Sequence, residues 1–172
     1  MEFEKILLLL EKSGEDEAKK AYNKAVGLLT EKGLTVSVAE SCTGGLIGKL
    51  FTDVSGASAV FAGGMITYTN EIKINKLGVS AETIKKHTEV SAECAAEMAE
   101  RAKTYFETDI GISATGFAGP LGGNEKDPVG TVYLGISTTN FTRVYRLSLN
   151  GCNRDEIRMS VAKFAAELII CA

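Results

Sequence analysis

The segment that most narrows the choice of fold is the junction across residues 36 to 51. The short run Val36 to Val38 enters Ala39-Glu40-Ser41-Cys42-Thr43-Gly44-Gly45, and Leu46, Ile47, Leu50 and Phe51 follow at once at helical spacing. Side chains alternate with period two along a strand and recur with period 3.6 along a helix, so the chain changes element type within a few residues. A strand that turns directly into a helix belongs to an α/β sheet, where such bends present ligand-binding groups beyond the strand ends. This bend carries a carboxylate, hydroxyls, a thiol and paired glycines, far more chemistry than a connection requires.

The rest of the chain repeats the alternation. Ala18, Tyr22, Ala25, Val26 and Leu29 predict a helix over 15–31, closed by Gly33 as a C-cap, and a strand over 34–39 leads into the bend. A second strand is expected over 64–69. Ser80 and Ser91 are placed to cap helices over 81–87 and 92–106, the latter rich in alanine. Residues 109–114 read as another strand, and 131–137 and 142–149 as an antiparallel hairpin around Thr139-Asn140. Asn153 and Glu156 form a capping box for a last helix whose buried stripe is Ile157, Val161, Phe164, Ala165 and Leu168. Helices interleaved with strands and followed by a hairpin predict a three-layer α/β/α sandwich on a mixed β-sheet. No repeat or linker interrupts the sequence, and 172 residues suit one domain spanning 1–172.

Charge and apolar content exclude several classes of function. The net charge of −3 gives no general attraction to nucleic acid or to an anionic membrane. The apolar run Ile6 to Leu10 is far short of the ~20 residues that cross a bilayer. Glu2 and Glu4 stand where a signal peptide has its basic region, so a cytoplasmic protein is expected. Cys42, Cys94, Cys152 and Cys171 show no CxxC pair and no zinc-ligand spacing, and reduced thiols are the simplest reading.

Two segments reach the sheet edge where ligands bind. One is Glu40 to Gly45; the other is Thr115-Gly116-Phe117-Ala118-Gly119-Pro120-Leu121-Gly122-Gly123, whose glycines let backbone amides approach an anion. Neither is a P-loop or a GxSxG elbow. A lone Ser41 or Thr43 at such a bend is more commonly an N-cap than a nucleophile, and Cys42 more commonly a small buried hydrophobe. His87 is the single histidine, set among lysines at a helix end, so a Ser-His-Asp triad has just one possible base, badly placed, and carboxylates would have to do all the ligation at a metal site. If Ser41 is a nucleophile, a lysine or tyrosine has to activate it. Tyr68-Thr69-Asn70-Glu71-Ile72-Lys73 offers both just past a strand end, although a lysine on a loop is usually a solvated charge.

Taken in order, Ala39-Glu40-Ser41-Cys42-Thr43-Gly44-Gly45, Gly56-Ala57-Ser58, Tyr68-Thr69-Asn70-Glu71-Ile72-Lys73, Val90-Ser91-Ala92-Glu93, Thr115-Gly116-Phe117-Ala118-Gly119-Pro120 and Pro128-Val129-Gly130-Thr131-Val132 resemble the CinA C-terminal domain family. These are the nicotinamide-nucleotide amidases, also called PncC. The resemblance runs from about residue 15 to the end of the sequence. It implies hydrolysis of the carboxamide of nicotinamide mononucleotide to nicotinic acid mononucleotide and ammonia, with a serine nucleophile and no metal or other cofactor. By the same resemblance Ser41 is the nucleophile and Tyr68 and Lys73 are its catalytic partners. Thr43, Gly44, Gly45, Thr115, Gly116, Gly119 and Arg154 are substrate-binding. The partners implied are a small nucleotide and further copies of the chain, with no nucleic acid and no membrane.

The sequence departs from the family pattern in three places. Gly151-Cys152-Asn153-Arg154 carries one residue more than the usual Gly-polar-Arg, with Arg158 a helical turn further on. Thr88-Glu89 precedes Val90 where a small residue is common, and Phe117 is larger than usual. Longer members carry an added N-terminal nucleotide-hydrolysing domain, for which this sequence leaves no room. A non-catalytic nucleotide-binding or scaffold domain on the same fold is the alternative reading. It has no need of Ser41, Tyr68 and Lys73 together.

Overall fold

The computed structural model describes residues 4–9 and 11–172; Glu2 and Leu10, which entered the reading of the N-terminal run, lie outside them. Its centre is a six-stranded mixed sheet in the order β1-β6-β5-β4-β2-β3. The strands are β1 (Glu4–Leu9), β2 (Val36–Glu40), β3 (Phe61–Ile66), β4 (Ile110–Gly116), β5 (Thr131–Ser137) and β6 (Thr142–Ser148). β2 pairs in parallel with both β3 and β4, β5 runs antiparallel to β4 and β6, and β1 lies parallel to β6 at the edge. The hairpin at 131–148 is as expected. β1 is an addition, because an apolar run without period-two alternation does not declare a strand. β3 starts and ends earlier than the expected 64–69. Thr67 to Thr69, although strand-like in composition, form the exit from the sheet.

Helices α1 (Glu15–Lys32), α2 (Leu46–Thr52), α3 (Asn70–Ile72), α4 (Ala81–His87), α5 (Ala92–Tyr105) and α6 (Arg154–Cys171) complete the three layers. One face of the sheet packs Val36, Val38, Ile112, Leu134 and Leu147 against α1, α2 and α6. The other face packs on α5, where Ala39 meets Cys94 and Met98 while Tyr133 and Val144 meet Ala95 and Ala96. Strand alternation decides which side chains go where: Val36 and Val38 turn to the first face, and Ser37 and Ala39 to the second.

The alanines of α5 let it lie unusually close to the sheet. Ser113 Oγ donates to the Ala95 carbonyl at 2.6 Å. A Cβ added to Gly111 would stand 2.1 Å from the Ala99 carbonyl oxygen, and one on Gly135 would stand 2.6 Å from that of Ala95. Both obstacles are backbone, so relief requires the helix to move. Gly111→Ala is therefore expected to lower the unfolding free energy in urea by about 2–4 kcal/mol. Gly27→Ala, in the interior of α1 with open space around it, is expected to raise it by about 0.5–1 kcal/mol. Equal effects of the two substitutions would refute the close-packed account of α5.

Candidate active site

The bend after β2 is held from inside. Ser41 N–H continues the ladder by donating to the Ala114 carbonyl at 2.9 Å. The Glu40 side chain then turns toward α2 and accepts N–H bonds from Gly45 (2.9 Å), Ile47 (3.1 Å) and Gly48 (2.8 Å). Gly45, the residue preceding α2, has no side chain with which to cap it, so the carboxylate five residues back does so. Gly44 and Gly45 have φ of 59° and 95°, the left-handed conformation this tight return requires. The Gly44 amide donates to the Ser41 carbonyl at 3.2 Å. With Gly44 and Gly45 engaged within the bend, Cys42 and Thr43 keep amides that donate to no other described residue.

Lys73 reaches the same point from β3. Thr69 caps the short α3, its hydroxyl accepting from Ile72 N–H at 3.3 Å. A single wide turn, Lys73–Leu77, follows and closes through Val79 N–H on the Lys73 carbonyl at 3.0 Å. The Lys73 ammonium lies 3.0 Å from Ser41 Oγ and 2.7 Å from the Thr67 carbonyl. Its side chain is 0% exposed and forms no ion pair with a carboxylate among the described residues. Burial holds its pKa below the ordinary lysine value, because the charged form loses water without gaining a counter-ion. The solvated charge that a loop lysine normally represents is thus absent here.

Ser41, Tyr68, Lys73, Thr115 and Arg154 line one cleft of about 200 Å³, together with Glu89. Gly116 at the end of β4 and Gly119 in the loop beyond it border the cleft, while Thr43, Gly44 and Gly45 do not line it. Tyr68 stands at the mouth, 61% exposed. Thr115 Oγ1 donates to the Glu89 carbonyl at 2.7 Å. Arg154 opens α6 and donates through Nη1 to the Gly119 carbonyl at 2.7 Å, which leaves the rest of its guanidinium for another acceptor. Asp127, buried under the glycine-rich loop, accepts from Tyr133 Oη and Arg146 Nε, both at 2.9 Å. Arg158 donates to the Thr43 carbonyl at 2.8 Å, so the arginine a turn beyond Arg154 braces the bend that carries Ser41.

Sequence reasoning did not single out Asp127, Arg146 or the capping role of Glu40. The apolar-to-acidic transition at the end of β2 was the available signal for the last. His87 ends α4 with Nδ1 3.5 Å from Glu93 and does not border the cleft. No three histidine, cysteine, aspartate or glutamate side chains among the described residues converge as a metal-ion site. No described helix is long and apolar enough to cross a membrane. Cys42 borders the cleft, but burial pushes its thiol up to about 12, far from the thiolate a nucleophilic cysteine needs.

The sequence profile of the CinA C-terminal domain matches residues 18–171. The chain belongs to that family. A CinA-like protein of Kosmotoga olearia is 48% identical over 144 residues, which are 84% of this chain and 35% of the relative. A CinA-like protein of Fervidobacterium nodosum is 42% identical over 165 residues, 94% of this chain and 40% of the relative. The chain thus spans little more than a third of the length of these relatives. Among solved structures, the competence/damage inducible protein CihA from Agrobacterium tumefaciens superposes with a TM-score of 0.88 at 35% identity, covering 94% of this chain and 98% of that one. A CinA superfamily protein from Klebsiella pneumoniae gives 0.84 at 29% identity, with 88% and 94% covered. The α/β/α architecture is that of the CinA superfamily.

Two outcomes follow from the geometry. Because the folded chain holds Lys73 below its ordinary pKa, it binds fewer protons than the unfolded chain between that lowered value and about 10.5, and stability from this group rises with pH across that window. The unfolding free energy of the native chain is therefore expected to rise relative to that of Lys73→Met from pH 7 toward pH 10; a difference independent of pH would contradict it. Cys42→Ala keeps the backbone amide and is expected to leave any activity of the cleft within about threefold, with iodoacetamide at pH 8 failing to inactivate the native chain.

Proposed function

We propose that the protein is a serine amidohydrolase that converts nicotinamide mononucleotide to nicotinic acid mononucleotide and ammonia. The observation that carries this reading is the 3.0 Å contact between a fully buried, counter-ion-free Lys73 and Ser41 Oγ. A lysine so placed is shifted toward the neutral amine that can act as a base. Membership of the CinA family supports the assignment, and the cleft's composition supports a nucleotide.

In this mechanism Ser41 Oγ attacks the carboxamide carbon while neutral Lys73 takes the hydroxyl proton. The amides of Cys42 and Thr43, which donate to no other described residue, are the candidate donors for the resulting oxyanion. Collapse breaks the C–N bond as Lys73 returns the proton to the departing nitrogen, which leaves as ammonia. Water then attacks the acyl ester, Lys73 accepts one of its protons, and that proton goes back to Ser41 as the acid is released. Tyr68, at the mouth beside Lys73, is the second candidate for carrying protons to the leaving amine. Arg154 and the loop from Thr115 through Gly116 and Gly119 are assigned to the phosphate, for which a guanidinium and closely approaching backbone amides are suited.

Ammonia release tests the reading directly. Nicotinamide mononucleotide should turn over with kcat/KM at least tenfold above the nucleoside and free nicotinamide, since those lack the anion; equal values would remove the phosphate from the account. Ser41→Ala, Lys73→Ala and Lys73→Arg should each lose about 10²–10⁴ in rate, because arginine keeps the charge but cannot serve as a base. The Ser41→Ala/Lys73→Ala double variant should be scarcely worse than the worse single. A fully active Lys73→Arg would leave the lysine an electrostatic part and move the base to Tyr68. Tight binding without ammonia release would make the domain a nucleotide binder.

A further inference from the structure

The charged side chains that line the cleft are Lys73, Glu89 and Arg154, and two of them are already engaged. Lys73 donates to Ser41 Oγ and the Thr67 carbonyl, and Arg154 to the Gly119 carbonyl. The Glu89 carboxylate is half-buried and has neither a hydrogen bond nor an ion pair among the described residues. Its backbone is nevertheless fixed on both sides. Thr88, at φ 71°, donates its N–H to the Ile84 carbonyl at 2.9 Å, Ser91 Oγ donates to the Thr88 carbonyl at 2.9 Å, and Thr115 Oγ1 holds the Glu89 carbonyl. A half-buried carboxylate on a held backbone, without a partner among the described residues, is placed to pair with a cationic ligand group.

We propose that Glu89 is a specificity-determining residue whose carboxylate pairs with a positively charged ring bearing the scissile carboxamide, so that the cleft selects a zwitterion, phosphate toward Arg154 and cationic ring toward Glu89. The proposal rests on the amidase reading for the identity of the substrate, a pyridinium nucleotide. It adds the rejection of neutral-ring carboxamide nucleotides, which Ser41, Lys73 and Arg154 alone would not distinguish. The arrangement also couples binding to chemistry. Glu89 acts on Lys73 in the direction opposite to burial, favouring the charged ammonium. A cationic ring seated against Glu89 offsets that influence and favours the neutral amine at the moment the amide arrives.

The test uses binding as well as turnover. On the Ser41→Ala background, calorimetry compares nicotinamide mononucleotide with benzamide riboside 5′-monophosphate, which keeps the carboxamide, ribose and phosphate on a neutral ring. The cationic ligand is expected to bind about five- to tenfold more tightly, the range of a partly exposed charge pair. Adding Glu89→Gln should bring the ratio of the two dissociation constants to within twofold of one, while Glu89→Asp keeps part of the preference. An unchanged ratio in Glu89→Gln overturns the proposal. An equal loss of affinity for both ligands also overturns it, and so does failure of either to bind. Charge-selective, Glu89-dependent binding by a native chain that releases no ammonia would overturn the amidase reading and leave the specificity assignment standing.

Discussion

Everything at the cleft hangs on Glu40. Its carboxylate gathers the Gly45, Ile47 and Gly48 amides and so fixes the angle at which α2 leaves the strand. Its own carbonyl accepts from Thr67 N–H at 2.7 Å, which pins the exit of β3 beside the bend. The Thr67 carbonyl in turn receives Lys73 Nζ. One residue therefore sets both the direction of the turn that carries Ser41 and the anchor of the lysine, through contacts that span 33 residues of sequence but only adjacent strand ends in space. A buried carboxylate is tolerable there because several N–H donors replace its water.

The parts of this arrangement differ in how far they are legible in sequence. The strand-to-helix turn, the capping serines Ser80 and Ser91 and the hairpin at 131–148 are local, and their residue patterns match the structure. β1 is not, because Glu4–Leu9 becomes a strand only by pairing with β6, far along the chain. The end of β3 is misjudged for a related reason. Tyr68 and Thr69 have strand propensity, yet Thr69 is used as a helix cap and Tyr68 as a wall of the cleft mouth.

The site shows the same division. Ser41 and Lys73 can be named from an ordered set of motifs, but the burial of Lys73 comes from Leu77, Val79 and the Cys94 face of α5 packing around the wide turn. No local pattern encodes it. Gly44 and Gly45 are conspicuous in sequence as possible donors to a ligand, whereas their role here is conformational: the positive φ brings their amides onto Ser41 and Glu40. Glu89 reads as a mere departure from a small residue until the cleft shows it without a partner among the described residues, lining the same space as two engaged cations.

On the proposed amidase reading, the cap on α2 also limits where negative charge developing on the substrate could find support. A helix N-terminus aimed at a reacting atom normally lends it the positive end of its macrodipole. In this protein that end is already neutralised by Glu40, and α2 is only 7 residues long. What remains is the short-range dipole of the peptides at Cys42 and Thr43. The dipole of a single peptide, unlike a helix field, acts at hydrogen-bond range and depends on its alignment. Arg158 from α6 holds the Thr43 carbonyl, and with it the Gly44 N–H of the same peptide plane that donates to the Ser41 carbonyl, so the rigidity of the C-terminal helix reaches the bend from its far side.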